Sequence, residues 1–342
     1  MTSSDTRPVF LGEGTCANVY ITHGADDNEN DDDEKKVQRH RVSKTYKSTS
    51  RAPASELREV SFLSLYASSC PWIAHMTSFN FIRKTLDLEY GGCTLADWIS
   101  SQTSSQTLAD SVSTILPQLA LVLLFLDHHQ LVHGDLSSNN ILIQYKTLDI
   151  KVIDWGTVVY DTTLVPADRT IDSDNGCTTY DFSSPEMLNS SAVYGGSSSS
   201  DQEEKKKQHH SVAISIMHDV FSVGMNLLRM VQQSDGSARK WPHTHSLADD
   251  TERKEKHLQY LRAAQLSRSK HYPIAAEVEE KIRHHWWYPL LQSMLSIDPR
   301  LRPTPKEIWS ICSRHQHHSL RSPSFAANDN SALLLLHLDY PL

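Results

Sequence analysis

The chain has 342 residues, a net charge of −8 and 39% apolar residues, which allows a packed core and disfavours a nucleic-acid partner held by bulk charge. Its five cysteines are odd in number and unpatterned, as expected in a reducing compartment. The opening MTSSDTRPVF lacks an apolar run, so no secretory leader is expected. Ile115 to Leu126, interrupted by Pro117 and Gln118, is shorter than the ~20 residues that span a bilayer. These features predict a soluble protein of the cytoplasm or nucleus, with no membrane partner and room for one large or two medium domains.

Residues 9–22 (VFLGEGTCANVYIT) predict a strand, a glycine-containing turn and a second strand. An acidic, solvated insert follows at 24–36. Strand character returns over 37–47, where period 2 puts Val42 and Lys44 on one face and Lys47 on the other. Ser55 to Leu65 predicts a helix with Ser55 as N-cap and Leu57, Val60, Phe62 and Leu63 at helical spacing. Phe79 to Glu89 predicts two strands around the Arg83-Lys84 turn, ended by Gly91-Gly92. Helices then dominate: one opening over Leu95 to Ile99, a long apolar one over 108–130, and others over Val212 to Val231, Tyr288 to Ser296 and Pro305 to Ser313. Between them lie a polar run at 157–186, a low-complexity insert at about 197–210 expected to be mobile, and a polar stretch at 232–257 containing Asp235-Gly236. The order of elements predicts an α+β, bilobal architecture. Its expected parts are a tail (1–8), a small β-rich lobe (9–90), a larger α-helical lobe (91–314) and a second tail (315–342) holding apolar Leu333 to Leu336.

The most informative stretch is 131–156, LVHGDLSSNNILIQYKTLDIKVIDWG. Asn140 follows Asp135 by five positions, and Asp154 follows Asn140 by fourteen. The polar residues alternate with short apolar runs, which predicts loop, strand, turn, strand, loop. Two carboxylates and an amide at the ends of neighbouring strands suit phosphoryl transfer, which needs one group to orient the attacking hydroxyl and oxygen ligands for Mg²⁺. The stretch resembles the catalytic loop and metal-binding motif of protein kinases, with Gly134 where the family usually has Arg and Trp155 where it has Phe.

That resemblance implies ATP and Mg²⁺ as cofactors and proteins as substrates. Asp135 would act on the substrate hydroxyl, Asn140 and Asp154 would hold the metal, and His133 would be a structural imidazole. Gly12, Gly14 and Val19, with Ala17 replacing the third glycine, resemble the glycine-rich loop over the phosphates. Lys44 is favoured over Lys47 as the phosphate-contacting lysine; Glu59, with Leu63 four residues on, is favoured over Glu56 as its ion-pair partner. Leu88, Glu89 and Gly91 resemble the hinge, whose backbone at 89–91 would meet adenine. Gly156 closes the second motif. Thr179 and Pro185-Glu186 (Ser184 replacing the family Ala), Asp219 and Arg302 resemble the substrate platform, with Arg302 expected to pair with Glu186 and Asp219 with the catalytic loop. Ser137 stands where Ser/Thr kinases carry lysine, which implies slower turnover. Gly134 implies activity that does not need a phosphorylated activation loop.

The motifs run in family order over 12–304. Ser/Thr specificity is expected from the DLSSNN loop and Thr179. The alternatives are a small-molecule phosphotransferase of kinase-like fold, against which the substrate platform stands, and a pseudokinase scaffold, against which Lys44, Asp135, Asn140 and Asp154 stand. Cys312 with His315, His317 and His318 fits no closed zinc set. His209-His210 and His284-His285 are expected to face solvent, and Trp286-Trp287 to belong to the core or lobe surface.

Overall fold

In the computed structural model, which describes residues 8–14, 16–23, 40–49, 52–102, 104–161, 179–187, 214–232 and 270–316, the first strands form one antiparallel sheet. These are β1 (Val9–Glu13), β2 (Ala17–His23), β3 (His40–Tyr46), β4 (Met76–Asn80) and β5 (Thr85–Glu89), in the order β1-β2-β3-β5-β4. β3 is therefore central, and its register sets Lys44 opposite Val19 on one side and Leu86 on the other. Alternation along β3 buries Lys44 and Tyr46 on one face, while Ser43 on the other donates to Asp87 Oδ1 at 2.5 Å.

Helix α1 (Ala52–Tyr66) returns the chain from β3 and packs on this sheet. It begins three residues before the expected N-cap at Ser55. Pro53 explains the difference: its fixed φ and missing N–H fit a first helical turn, so the helix starts upstream and Ser55 lies inside it.

The second lobe is mostly helical. A short strand β6 (Cys93–Thr94) leads into α2 (Leu95–Ser101), whose first turn is capped by Thr94 Oγ1 accepting the Asp97 N–H at 3.1 Å. Helix α3 (Ser105–His128) is the core of the lobe. The long apolar helix expected over 108–130 is found, and its apolar part exceeds the run Ile115 to Leu126: the Thr107–His128 stretch is long and apolar enough to cross a membrane by length and composition, but it is mostly buried inside the fold, against α4 (Ile216–Gln232) and α7 (Pro305–Gln316). Between α4 and α7 come α5 (Ala276–Ile282), which the sequence pattern missed, and α6 (Tyr288–Met294). Helix α4 starts at Ile216 rather than Val212, with Asp161 Oδ2 accepting the Ile216 N–H at 3.0 Å. Helix α7 runs to Gln316, two residues into the expected tail.

Four short strands complete the lobe: β7 (Leu131–Val132), β8 (Ile141–Ile143), β9 (Ile150–Val152) and β10 (Val159–Tyr160). β8 pairs with β6 and β9; β7 pairs with β10. Gln118, buried in α3, donates to Leu148 O at 2.9 Å and accepts from Ile150 N–H at 3.1 Å, tying the β8–β9 hairpin to the core helix. The fold is thus a β-rich small lobe above a helical large lobe. The inserts at 24–36 and 197–210, the 233–257 stretch and the Leu333 to Leu336 tail lie outside the described residues.

Candidate active site

Lys44 is the centre of the cleft. Its Nζ lies 2.6 Å from Glu59 Oε2 and 2.7 Å from Asp154 Oδ1. Burial alone would lower its pKa, but the two carboxylates more than offset that, and the net direction is up, so the ammonium stays charged. Lys44 in turn holds Asp154 below the usual carboxylate range against the opposing effect of burial. Burial pushes Glu59 up, with Lys44 pulling the other way. Lys47 instead pairs with Glu13 at 2.5 Å on the surface, and Glu56 lies 3.5 Å from Lys84.

Asp154 has left-handed backbone angles (φ 62°, ψ 64°), which turn the chain sharply out of β9. Trp155 behind it is fully buried. Its indole stacks on Phe62 of α1 at 3.9 Å between centroids and lies 4.5 Å from the His133 ring. The residue at the family's Phe position thus clamps α1 to the catalytic loop through a larger apolar surface. Gly156 is required by close approach: a Cβ there would sit 2.0 Å from Ser55 Oγ. Its carbonyl accepts from Arg58 Nε at 2.7 Å.

His133 is fully buried, with Nε2 3.1 Å from Ile153 O. A carbonyl only accepts, so Nε2 carries the proton and Nδ1 accepts the Asp135 N–H at 3.2 Å. Burial lowers this imidazole to about 4, so the ring is neutral and structural. Asp219 accepts the N–H groups of His133 (2.6 Å) and Gly134 (3.0 Å), and burial pushes it up to about 7 against those two bonds.

Asp135 accepts the Thr179 N–H at 2.7 Å on Oδ1 and Asn140 Nδ2 at 2.9 Å on Oδ2. Burial pushes it up to about 6, with the Thr179 N–H opposing. Asn140 Nδ2 also donates to Asp135 O at 2.8 Å, so its amide oxygen is the end left for a cation. The Asp154 side chain remains 46% exposed toward the cleft. Two oxygen donors of this kind fit a hard cation such as Mg²⁺, which keeps several ligands from water and phosphate. Among the described residues no group of three or more His, Cys, Asp or Glu could hold a metal by itself. Ser137 is 1% exposed and brings no charge to this end of the cleft.

The β1–β2 hairpin pairs with β3, the strand that carries Lys44. Gly14 N–H bonds Ala17 O at 2.8 Å, and a Cβ at Gly12 would meet nothing within 4 Å. Val19 pairs with both Gly12 and Lys44. At the hinge, Glu89 Oε1 accepts from Lys151 (2.8 Å) and from the His75 N–H (2.8 Å), and the Glu89 N–H donates to His75 O at 3.0 Å. Gly91 lies close on the large lobe, where a Cβ would stand 2.9 Å from Leu142 Cδ1.

On the platform side, Arg302 grips Glu186 bidentately at 2.6 and 2.8 Å, and the pair holds Glu186 below its usual range despite burial. Two contributors escaped the sequence reading. Tyr46 donates to Glu59 Oε2 at 2.6 Å, although period 2 placed it on the Lys44 face. His218 bridges Ser184 and Gly134, with no local pattern to announce it. Elsewhere, His284 is exposed as expected, while His285 is half-buried and stacks at 4.9 Å on Trp287, which is fully buried. His315 stacks on Trp286 at 4.5 Å. His209, His210, His317 and His318 lie outside the described residues.

The chain matches the model of the protein kinase domain over residues 6–311. No curated protein sequence matches it. Among solved structures it is similar to the crystal structure of the PF14_0431 kinase domain, at 16% identity and a TM-score of 0.55, covering 88% of this chain and 92% of that one. With its bilobal fold and a matched region that runs from the first strand into the last helix, the chain belongs to the protein kinase family.

Proposed function

We propose that this kinase-family chain is an ATP-dependent protein kinase that transfers the γ-phosphoryl group to Ser or Thr hydroxyls of protein substrates. The observation that carries the reading is Lys44 held between Glu59 and Asp154 on the strand that pairs with the glycine hairpin, with Asp135 and Asn140 bonded to each other. Lys44 would hold the α/β-phosphates, and the backbone at Glu89 and Gly91 the adenine. Asn140 and Asp154 would hold Mg²⁺, which when bound neutralises charge on the transferring phosphate. Asp135 would orient the attacking hydroxyl. The platform of Thr179, Glu186 and Arg302 supports a polypeptide substrate over a small molecule, and Thr179 with the DLSSNN loop supports Ser/Thr over Tyr. The unpatterned cysteines support a cytoplasmic or nuclear setting.

The test is turnover of ATP–Mg²⁺ on a peptide library, with Asp135→Ala and Asp154→Ala alongside. Phosphotransfer to Ser/Thr peptides that disappears in both variants supports the reading. Nucleotide binding without transfer supports a scaffold instead, and transfer only to small alcohols or amines supports the small-molecule alternative.

A further inference from the structure

Gly134 and Ser184 both depart from the family motifs they occupy, and both touch the same side chain. His218, the first-turn neighbour of Asp219 in α4, sets Nε2 3.2 Å from Gly134 O and Nδ1 3.0 Å from Ser184 Oγ, with Ser184 N–H at 3.4 Å. Gly134 O can only accept, so a neutral ring carries its proton on Nε2 and presents Nδ1 as an acceptor to the Ser184 amide and hydroxyl, the hydroxyl also bonding the Glu186 carboxylate. His218 is 1% exposed and Ser184 is fully buried, so these bonds have no competing water. Burial lowers the ring to about 4, with Glu186 and Arg302 acting on it in opposite directions, which keeps it neutral.

Two residues of one helix thus hold both polar groups of one side-chain-less residue: Asp219 takes the Gly134 N–H, and His218 takes its carbonyl. At the far end, Ser184 belongs to the same short stretch as Thr179, whose N–H holds Asp135 Oδ1. The contacts close a ring from Asp135 through Gly134, His218 and Ser184 back to Thr179 and Asp135. We propose that His218 and Ser184 are positioning residues: a neutral hydrogen-bonded strut that binds the 179–187 segment to the catalytic loop and keeps Asp135 aimed. It would do the work that an arginine at 134 and a phosphorylated loop residue would otherwise do. This rests on the phosphoryl-transfer reading above.

The test compares wild type with His218→Phe, which keeps a ring but neither bond, with Ser184→Ala, with the double variant, and with His218→Gln, which retains an amide donor. Steady-state kinetics and amide hydrogen exchange over 179–187 are measured on each. The strut predicts kcat about tenfold lower in each of the first two, KM for ATP within about twofold, partial recovery in His218→Gln and a double variant no worse than the worse single. It also predicts faster exchange across 179–187. Wild-type kcat and exchange in both single variants, losses that add in the double variant, or a loss confined to ATP KM would overturn it. If His218→Phe does not fold, Ser184→Ala and His218→Gln decide together, since the Ser184 hydroxyl also bonds Glu186 and only a loss shared by both variants belongs to the strut. If wild type shows no turnover, the kinase reading fails and exchange alone judges the strut: faster exchange in both Ser184→Ala and His218→Gln upholds it, unchanged exchange in either refutes it.

Discussion

Tyr46 donates its phenol to the same Glu59 oxygen that receives Lys44 Nζ, each at 2.6 Å. Glu59 is fully buried, and its other oxygen has no partner among the described protein atoms. A buried carboxylate in this state depends on every bond it receives. The phenol therefore fixes the Glu59 rotamer that presents the acceptor to Lys44, and the Lys44 ammonium packs 5.6 Å above the Tyr46 ring.

Tyr46→Phe follows directly. The change keeps the ring and removes one donor to a charged group, which costs about 1.5–3 kcal/mol of stability. Glu59 then relies on Lys44 alone, Lys44 is held less firmly for phosphate, and KM for ATP is expected to rise about threefold, or roughly 0.7 kcal/mol. Thermal unfolding and ATP titration check both effects. An unchanged melting temperature with unchanged ATP KM would show that the phenol is only packing.

Gly134 yields a second expectation. The residue sits at φ +80° and its virtual Cβ lies 3.2 Å from Thr157 O, so no side chain rests there without strain. Phosphatase treatment is expected to leave turnover unchanged, because the loop has no arginine at 134 to pair with a phosphate. A large drop in turnover after dephosphorylation would refute this. Gly134→Arg should destabilise by about 1–2 kcal/mol, the left-handed penalty for a residue with a Cβ, without conferring a response to phosphorylation. Denaturant melts of that variant provide the measure.

Much of this site could be read from local spacing. The distance from Asp135 to Asn140 and the run to Asp154 are properties of one loop–strand–turn–strand unit, so the string carries the geometry. Alternation along β3 separates Lys44 from Lys47 but does not choose between them; the kinase resemblance chooses Lys44, and its Glu-x-x-x-Leu spacing chooses Glu59 over Glu56, and the two side chains meet at 2.6 Å. What was not legible depends on contacts between distant segments. Ser before an apolar run predicts a cap at Ser55, but Pro53 moves the helix start, and Ser55 packs against Gly156 instead. His218 gave no signal because its partners are 34 and 84 residues away in sequence. The sequence shows the apolar run Ile115 to Leu126 as too short for a bilayer because Pro117 and Gln118 interrupt it. In the fold helix α3 runs through Pro117, and Gln118 is its polar anchor to the β8–β9 hairpin.

The buried imidazole at 218 gives a pH signature with a definite sign. His218 titrates near 4 in the folded state and near 6.5 when exposed in the unfolded chain. A depressed folded pKa means that the unfolded state binds the proton first, so its stabilising contribution is complete above about pH 6.5 and is lost as pH falls toward 4. The full loss is on the order of 3 kcal/mol. Asp135 and Asp219, raised by burial, act in the opposite sense over the same range, so the net slope of wild type is uninformative. The informative quantity is the stability difference between wild type and His218→Gln. That gap should narrow as pH drops from 7 to 5, because only wild type has an imidazole to protonate. A gap that stays constant in denaturant melts would mean that His218 is not buried as a neutral ring.

The last expectation concerns how α1 is held against the Asp154 loop. Gly156 and Ser55 approach so closely that a Cβ on Gly156 would fall 2.0 Å from Ser55 Oγ and 3.2 Å from Ser55 Cβ. Gly156→Ala therefore forces Ser55, and with it the helix that carries Glu59 and Arg58, away from the loop. Rotating the Ser55 hydroxyl relieves the first contact but not the second, so some displacement of α1 remains. Lys44 reaches both Glu59 on that helix and Asp154 on that loop, and a shift of several tenths of an ångström lengthens one of these bonds. Turnover is expected to fall about tenfold, 1.4 kcal/mol in the barrier, with the larger part of the change in kcat. Ser55→Gly removes both clashing atoms, so Gly156→Ala combined with Ser55→Gly should recover most of the activity although Ser55→Gly alone weakens the helix by about 0.5–1 kcal/mol. Such reversal in a double-mutant cycle is a coupling between two residues that touch. If the double variant is instead as slow as Gly156→Ala, the loss does not come from the contact with Ser55.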